Sequence, residues 1–284
     1  MHDHPAGRRQ AARKSFTLAL LAVAAVTFAD PLLPGRSHAQ AQEMIDSLDL
    51  KSDEFTKADM SRADIEAGLA KLKEGETLDL TGKRLNGLDL SGLDLSRTTL
   101  RAARLNYANL KGAKFDGVVL DSAWAIRSDF TGASFIGASL FQTQMQNCKI
   151  DGANFAHAMV GADMSRASVT NANFENAMLA PDLTNQSMGL MRGVLKSANL
   201  EGSTFKGANL MRSAFEFANL KGVNFEGANM TGAELAGADL TGASIAGATL
   251  EGVDVDSAKL IGLKGSDTAK GLDKLKNAEK AIRE

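Results

Sequence analysis

A five-residue period is the feature of this sequence that most constrains its fold. Every fifth residue from Leu80 to Val160 is apolar, over 17 consecutive positions. In a chain that is 44% hydrophobic, such a run would arise by chance in about one placement in a million. The period therefore indicates an internal repeat and predicts a solenoid, in which short units stack along one axis.

The period has two interruptions. Beyond Val160 it continues one residue earlier, at Met164, Val169, Phe174 and Leu179. After an irregular stretch it is regular again from Leu190 to Leu260. We interpret these shifts as a one-residue deletion near Gly161 and an insertion near Pro181, and we expect an irregular bulge at 180–188. Such a bulge is either a functional loop on a rigid scaffold or a tolerated insertion.

The repeat unit also has preferred flanking residues. A small residue stands two positions before most apolar centres, as in Ala153-Asn154-Phe155, and glycine often stands two positions after. The unit Ala-(Asn/Asp)-(Leu/Phe)-X-Gly resembles the pentapeptide-repeat family, over residues 78–262. The resemblance implies an all-β fold, a right-handed quadrilateral β-helix whose sides are single pentapeptides with the centre and the small residue pointing inward. At the strand spacing of ~4.8 Å, about nine coils form a rod of roughly 43 Å.

Residues 20 positions apart test the number of sides. If four repeats complete one turn, such residues stack in one column, and the sequence shows a column rich in phenylalanine. Its predicted members are Leu95, Phe115, Phe135, Phe155, Phe174, Leu195, Phe215, Leu235 and Val255. The match between them supports four repeats per turn.

Both ends of the repeat region have candidate caps, which a solenoid needs because its ends expose unpaired backbone groups. In the N-terminal segment, 42–77, Ser61 is a candidate N-cap of a helix that ends near Gly75. Its apolar face consists of Ile65, Leu69 and Leu72. In the C-terminal segment, 263–284, a second capping helix is predicted from a helical stripe of Leu272, Leu275, Ala278 and Ile282.

The first 41 residues have the pattern of a signal peptide. Basic residues from Arg8 to Lys14 precede an apolar run from Phe16 to Ala29, and cleavage fits after Ala39 or Ala41. The run is shorter than the ~20 residues of a spanning helix, although an uncleaved anchor is the alternative. We therefore expect an exported, periplasmic protein with no stable membrane span after cleavage. Export by the general or by the twin-arginine route stays open.

The remaining chain offers little material for catalysis. It retains one histidine (His157), one cysteine (Cys148) and one tryptophan (Trp124). No catalytic triad or zinc site can be assembled from them, and Cys148 occupies the inward slot before Ile150. The six-residue period of left-handed acyltransferase β-helices does not fit this chain. We therefore predict that it is not an enzyme and binds no cofactor or metal.

Outward apolar residues at mid-rod form the candidate partner patch. Its members are Val119, Trp124, Phe141, Met159, Met178 and Ala180. Soluble proteins seldom leave large apolar patches uncovered, so we expect an unidentified protein partner or self-association there. The alternative is a scatter of surface hydrophobic residues without function. The predicted function is that of an exported, non-enzymatic scaffold or protein-interaction module.

Mimicry of DNA is the alternative function. The resemblance implies it for some family members, which bind topoisomerases in the cytoplasm through long acidic faces. Here basic residues interrupt the acidic ones: Lys111, Lys114, Arg127, Arg166, Arg192, Lys206 and Arg212. Of 32 Lys and Arg, five lie in residues 1–41, and of 34 Asp and Glu, two do, so the remaining net charge is near −5. That charge lacks the basic footprint of a nucleic-acid binder, and no nucleic acid is expected as a partner.

Overall fold

The computed structural model describes residue 49 and residues 51–181 and 191–284. The chain divides into two units, Met1–Lys51 and Ser52–Glu284, and the fold below is that of the second. The predicted signal peptide, 1–41, lies outside the described residues. In the part of the chain that is described, no helix is long and apolar enough to cross a bilayer.

The repeat region is a tube of stacked coils joined by parallel backbone pairs. Residues 20 apart pair with each other, as Asp89 does with Asn109 and Asn109 with Asp129. Leu90 N donates to Asn109 O at 2.8 Å, and Asn109 N donates to Leu88 O at 2.9 Å. The period of 20 confirms four repeats per turn. The longest strands, β1 (Leu78–Asp79) and β2 (Thr98–Thr99), pair in parallel over two residues.

Each side is short because a corner follows every apolar centre. At most corners the residue two positions after the centre has a positive φ, for example 68° at Gly92 and 60° at Arg127. Glycine adopts this left-handed conformation without a steric penalty, which explains its frequency at that position. The corners leave one outward residue per side, immediately before the centre.

The four faces are named here by the first outward residue of each. Face 1 begins at Asp79, face 2 at Arg84, face 3 at Asp89 and face 4 at Asp94. Face 1 continues through Thr99, Val119, Ser139, Met159, Met178, Asn209, Asn229, Thr249 and Lys270. Outward side chains on one face therefore form a column along the tube, about 4.8 Å apart.

The interior holds one large and one small side chain per side. Leu105 and Ala103, for example, are both completely buried. Along one face the large residues are stacked phenylalanines with ring centroids 4.6–4.8 Å apart: Phe115, Phe135, Phe155, Phe174 and Phe205. The ring spacing equals the coil spacing, so the aromatic column and the backbone pairing stabilise the same register.

The deletion is confirmed, and the insertion is larger than the sequence indicated. Gln144 pairs with Asp163, 19 positions on, whereas Asp163 pairs with Val194, 31 positions on. The insertion is therefore eleven residues, two full repeats plus one. The predicted column was wrong beyond Phe174, which stacks on Phe205. An insertion of whole repeats leaves the five-residue period in phase, so only the one extra residue is visible in the sequence. Of the predicted bulge, 180–188, the described residues include only Ala180 and Pro181.

The N-terminal segment contains two helices, α1 (Asp53–Thr56) and α2 (Arg62–Ala70). The helix predicted after Ser61 is present as α2, where Ser61 and Asp64 form a capping box. It ends at Ala70, before the expected stop at Gly75. Ile65 is buried in the core, and Ala58, between the helices, pairs antiparallel with Leu85 on the side of the tube.

The C-terminal helix predicted within 263–284 was wrong. The segment contains two single 3₁₀ turns, Leu272–Lys274 and Ala278–Lys280, and forms a further coil. Its residues that pair with the coil below recur every six positions: Lys264, Lys270, Lys276 and Ile282. Every third residue from Ala269 to Ala281 is apolar. That spacing fits both a helical stripe and a six-residue side of the tube. The backbone pairing shows that the segment forms six-residue sides.

Candidate interaction surface

An exposed apolar column lies in the middle of face 1. Val119, Ser139, Met159 and Met178 pair consecutively in parallel, coil to coil. The Met159 side chain is 56% exposed and that of Met178 is 46% exposed, while Val119 is half-buried. Beyond Met178, face 1 carries the polar residues Asn209 and Asn229. The two thioethers therefore form a local apolar surface on a column that is otherwise mostly polar.

Phe141 borders this column at the corner between faces 1 and 2. Its ring lies over the deletion, with Cδ2 3.5 Å from the position that a Cβ on Gly161 would occupy. The Asp121 carboxylate accepts hydrogen bonds from Phe141 N at 3.2 Å and from the Ser139 hydroxyl at 2.6 Å. Phe141 is half-buried and held in place, whereas Met159 and Met178 are more exposed.

Ala180 lies at the same corner, two coils further along the tube than Phe141. Its backbone N–H donates to Asn209 O at 3.1 Å, and its side chain is half-buried. The structure thus brings five of the six predicted patch residues to face 1 and its corner with face 2. That a partner binds there stays a prediction.

Trp124 is separated from this surface. It is on face 2, half-buried, with its ring centroid 5.5 Å from that of Phe55 in α1. The Arg104 guanidinium lies 5.2 Å from the centre of the same Phe55 ring. Trp124 is therefore covered by the N-terminal segment of its own chain. The five-residue period does not predict this contact, because that segment is not part of the repeat.

Polar contacts hold this segment on face 2. The Arg84 side chain donates through Nε to Asp59 Oδ1 at 2.8 Å, and these bonds hold the pKa of Asp59 below its usual range. Asn86 Nδ2 donates to Glu54 O at 3.1 Å and to Lys57 O at 3.0 Å. Since Arg104 also pairs with Glu54, the segment is anchored at several points.

A partly buried charge cluster that the sequence did not indicate lies further along face 2. Arg192 binds both carboxylate oxygens of Glu234 at 2.7 Å, and Lys196 pairs with Glu216 at 2.6 Å. Burial raises the pKa of Glu216, whose Oε2 is buried without a hydrogen-bond partner in the described structure. Burial opposes ionisation of Glu234 as well, but Arg192 lowers its pKa overall. The cluster fixes the chain at Arg192, where it returns from the insertion.

The residues considered for catalysis are not brought together. Cys148 is buried inside the tube, as its sequence position predicted; its Sγ–H donates to Ala125 O at 2.8 Å, and burial raises the thiol pKa to about 12. His157 is exposed at a corner. Among the residues that the structure describes, no three His, Cys, Asp or Glu side chains are grouped so that they could hold a metal ion.

Comparison with known families identifies the repeat. The model of pentapeptide repeats matches eight copies, over residues 84–121, 125–156, 194–227 and 218–256. The chain belongs to the pentapeptide-repeat family. The family fold is a right-handed quadrilateral β-helix, in agreement with the four faces seen here. Members are often interaction modules. The unmatched residues between 156 and 194 contain the deletion and the insertion.

Solved structures of other pentapeptide-repeat proteins are also similar. HetL from the cyanobacterium Nostoc sp. strain PCC 7120, involved in the regulation of heterocyst differentiation, is 25% identical, with a TM-score of 0.44 over 78% of this chain and 94% of HetL. QnrB1, a plasmid-mediated fluoroquinolone resistance protein, is 17% identical, with a TM-score of 0.40 over 72% of this chain and 94% of its own. No curated protein matches the sequence.

Proposed function

We propose that this pentapeptide-repeat protein is an exported, periplasmic and non-enzymatic scaffold that binds a protein partner through face 1. The observation that carries the proposal is the stack of two exposed methionines, Met159 and Met178, in mid-tube. The basic and apolar pattern of residues 1–41 supports export.

The scaffold consists of about nine coils with both ends covered. Helix α2 covers the first coil, since Ile65 is buried and Leu69 packs against the core. At the other end, Leu263, Leu272 and Leu275 of the last coil pack against the core. Such ends limit stacking of one tube on another, so the side faces are available for a partner.

Methionine suits a binding surface because its side chain is flexible and its sulfur is polarizable. It can adapt to the shape of a partner. Phe141, packed over Gly161, adds a fixed aromatic edge beside the two adaptable side chains. This combination of a rigid scaffold with a small adaptable apolar area supports recognition of a protein surface.

The distribution of charge does not favour DNA mimicry. On face 3, Asp129 lies between Lys111 and Lys149, at 3.4 and 4.0 Å. Further along the same face, Asp239 lies between Lys221 and Lys259, at 3.7 and 3.2 Å. A mimic of the phosphate backbone needs a continuous row of negative charge, and these lysines interrupt it.

The test is cross-linking capture from a cell-envelope extract with the chain from Gln42 onward. A Met159→Glu, Met178→Glu variant places two charges on face 1. Its matched control, Thr204→Glu, Ser244→Glu, places the same charges on face 4. We expect a partner that is captured by the unchanged chain and by the control and is lost in the face 1 variant. Equal capture by all three chains would refute the proposed face.

Export is tested separately by the N-terminal sequence of the protein isolated from the periplasm of its native host. We expect it to begin after Ala39 or Ala41. An intact N-terminus on protein found only in the cytoplasm would contradict export, while leaving the binding face open to the capture experiment.

A further inference from the structure

A groove lies beyond the apolar column, at the same corner of faces 1 and 2. It has a volume of about 500 Å³. Its walls include Met211, Arg212 and Thr231 from the corner, and Arg192, Glu234 and Lys276 from the chain around face 2. The insertion leaves and returns between the two features, at Pro181 and Met191. The apolar column and the groove therefore share one edge of the tube.

The groove carries a surplus of positive charge. Its two carboxylates are already paired, Glu234 with Arg192 at 2.7 Å and Glu251 with Lys274 at 2.8 Å. Arg212 and Lys276 line the groove, are exposed, and have no ion pair among the described residues. A ligand that fills the groove meets these two cations, so a carboxylate is favoured there and an ammonium group is disfavoured.

Two further methionines connect the column with the groove. Met191 is half-buried at the return of the insertion, and its Sδ accepts from Gln142 Nε2 at 3.3 Å. Met211 is half-buried in the groove wall. We call Phe141, Met159, Met178, Met191 and Met211 the methionine edge. The edge is apolar toward the N-terminal end of the tube. Toward the C-terminal end it is followed by the cations of the groove.

The distance from Met159 on the methionine edge to Lys276 in the groove sets the size of a ligand. Met159 and Lys276 are five coils apart along the tube, which is about 24 Å at ~4.8 Å per coil. An extended peptide advances ~3.4 Å per residue, so about seven residues span the distance.

We propose that the methionine edge and the cationic groove together bind an extended segment of a partner protein that has large apolar side chains at one end and Asp or Glu at the other. The apolar end lies on Met159 and Met178, and the acidic end contacts Arg212 and Lys276. This proposal rests on the proposed function and defines the chemistry of the partner.

The test is fluorescence anisotropy with labelled synthetic peptides and the chain from Gln42 onward. The main peptide has four leucines followed by three glutamates and a solubilising Gly-Ser tail. One comparison peptide has lysines in place of the glutamates, and another has serines in place of the leucines. We expect only the first to bind at micromolar concentration, and we expect added salt to weaken its binding.

Variants locate the acidic end. Arg212→Gln, Lys276→Gln removes both groove cations, and Lys114→Gln, Lys264→Gln removes the same charge from face 4, where neither lysine has an ion pair in the described structure. We expect roughly tenfold weaker binding for the first variant and an unchanged affinity for the second. Circular dichroism checks that each variant is folded.

Three outcomes would overturn the inference: no peptide binds, the lysine peptide binds as well as the glutamate peptide, or the Arg212, Lys276 variant binds normally. If the capture experiment still yields a partner that depends on Met159 and Met178, the scaffold function stands and only the acidic segment is refuted. If capture is also negative on face 1, both proposals fail.

Discussion

Two apolar sites on the outside of this tube have the same backbone geometry and different surroundings. On face 2, Trp124 is covered by Phe55, and ion pairs and hydrogen bonds hold the segment that carries Phe55 on the tube. On face 1, Met159 and Met178 are about half exposed, and Met178 Sδ accepts a hydrogen bond from Asn209 Nδ2 at 3.2 Å. An outward apolar residue on a repeat is therefore not in itself a binding site, since a segment outside the repeat can cover it.

The largest expected effect is on the covered site. Phe55→Ala removes a nearly buried ring, and core Phe→Ala changes cost about 3–5 kcal/mol. At this peripheral site we expect a loss of about 3 kcal/mol. Most of it is a loss in the free energy with which residues 52–61 dock on the tube. Hydrogen exchange of the amides in that segment measures it. Met159→Ala is the control, and unchanged protection in Phe55→Ala would show that the ring contact does not hold the segment.

Acid is expected to weaken the docking of the same segment. The pKa of Asp59 is lowered by its hydrogen bonds to Arg84, so its contribution is present above the ordinary Asp pKa of about 3.9 and is lost as pH falls through the lowered value. The partly exposed pair contributes below about 1 kcal/mol. Trp124, the only tryptophan, reports the weaker docking by its fluorescence between pH 7 and 2.

Arg84→Gln is the control for the acid effect. It leaves Phe55 and Trp124 in place and removes the charged partner of Asp59. A fluorescence transition of the same size and midpoint in both chains would assign the acid effect to other carboxylates.

Loss of the exposed thioethers is expected to change stability little. Met159→Ala, Met178→Ala removes side chains that are about half in water in the folded state, so the free energy of unfolding should change by less than about 0.5 kcal/mol for each residue. Chemical denaturation measures this. A loss of 2 kcal/mol or more would mean that the methionines are packed within the chain and that face 1 resembles face 2.

The smallest expected effect is that of methionine oxidation, which tests whether face 1 is exposed. Dilute hydrogen peroxide should convert Met159 and Met178 to sulfoxides before the buried Met145, Met164 and Met230 react. The melting temperature should change by no more than about 2 °C, since the added oxygen points to solvent. Peptide mass spectrometry measures the order, and simultaneous oxidation of all five would contradict the exposure of face 1.

Much of this fold was predictable because the repeat determines local geometry. The period identified the inward centres, placed Cys148 inside the tube and aligned Met159 with Met178. The N-cap at Ser61 identified α2. The helix expected after 263 was wrong because a three-residue apolar spacing is common to a helical stripe and to a six-residue side. Trp124 was assigned to the patch because the docking of Phe55 is not encoded in the period.

The sequence by itself determined the cross-section of the tube and which side chains point inward. A period of five with one large and one small apolar residue fits a narrow four-sided interior and specifies every coil in the same way. Only the tertiary structure decided which coil follows the insertion, how the last coil closes and which outer face is covered. Those features depend on contacts between distant residues, which a repeat that looks the same after every unit does not distinguish.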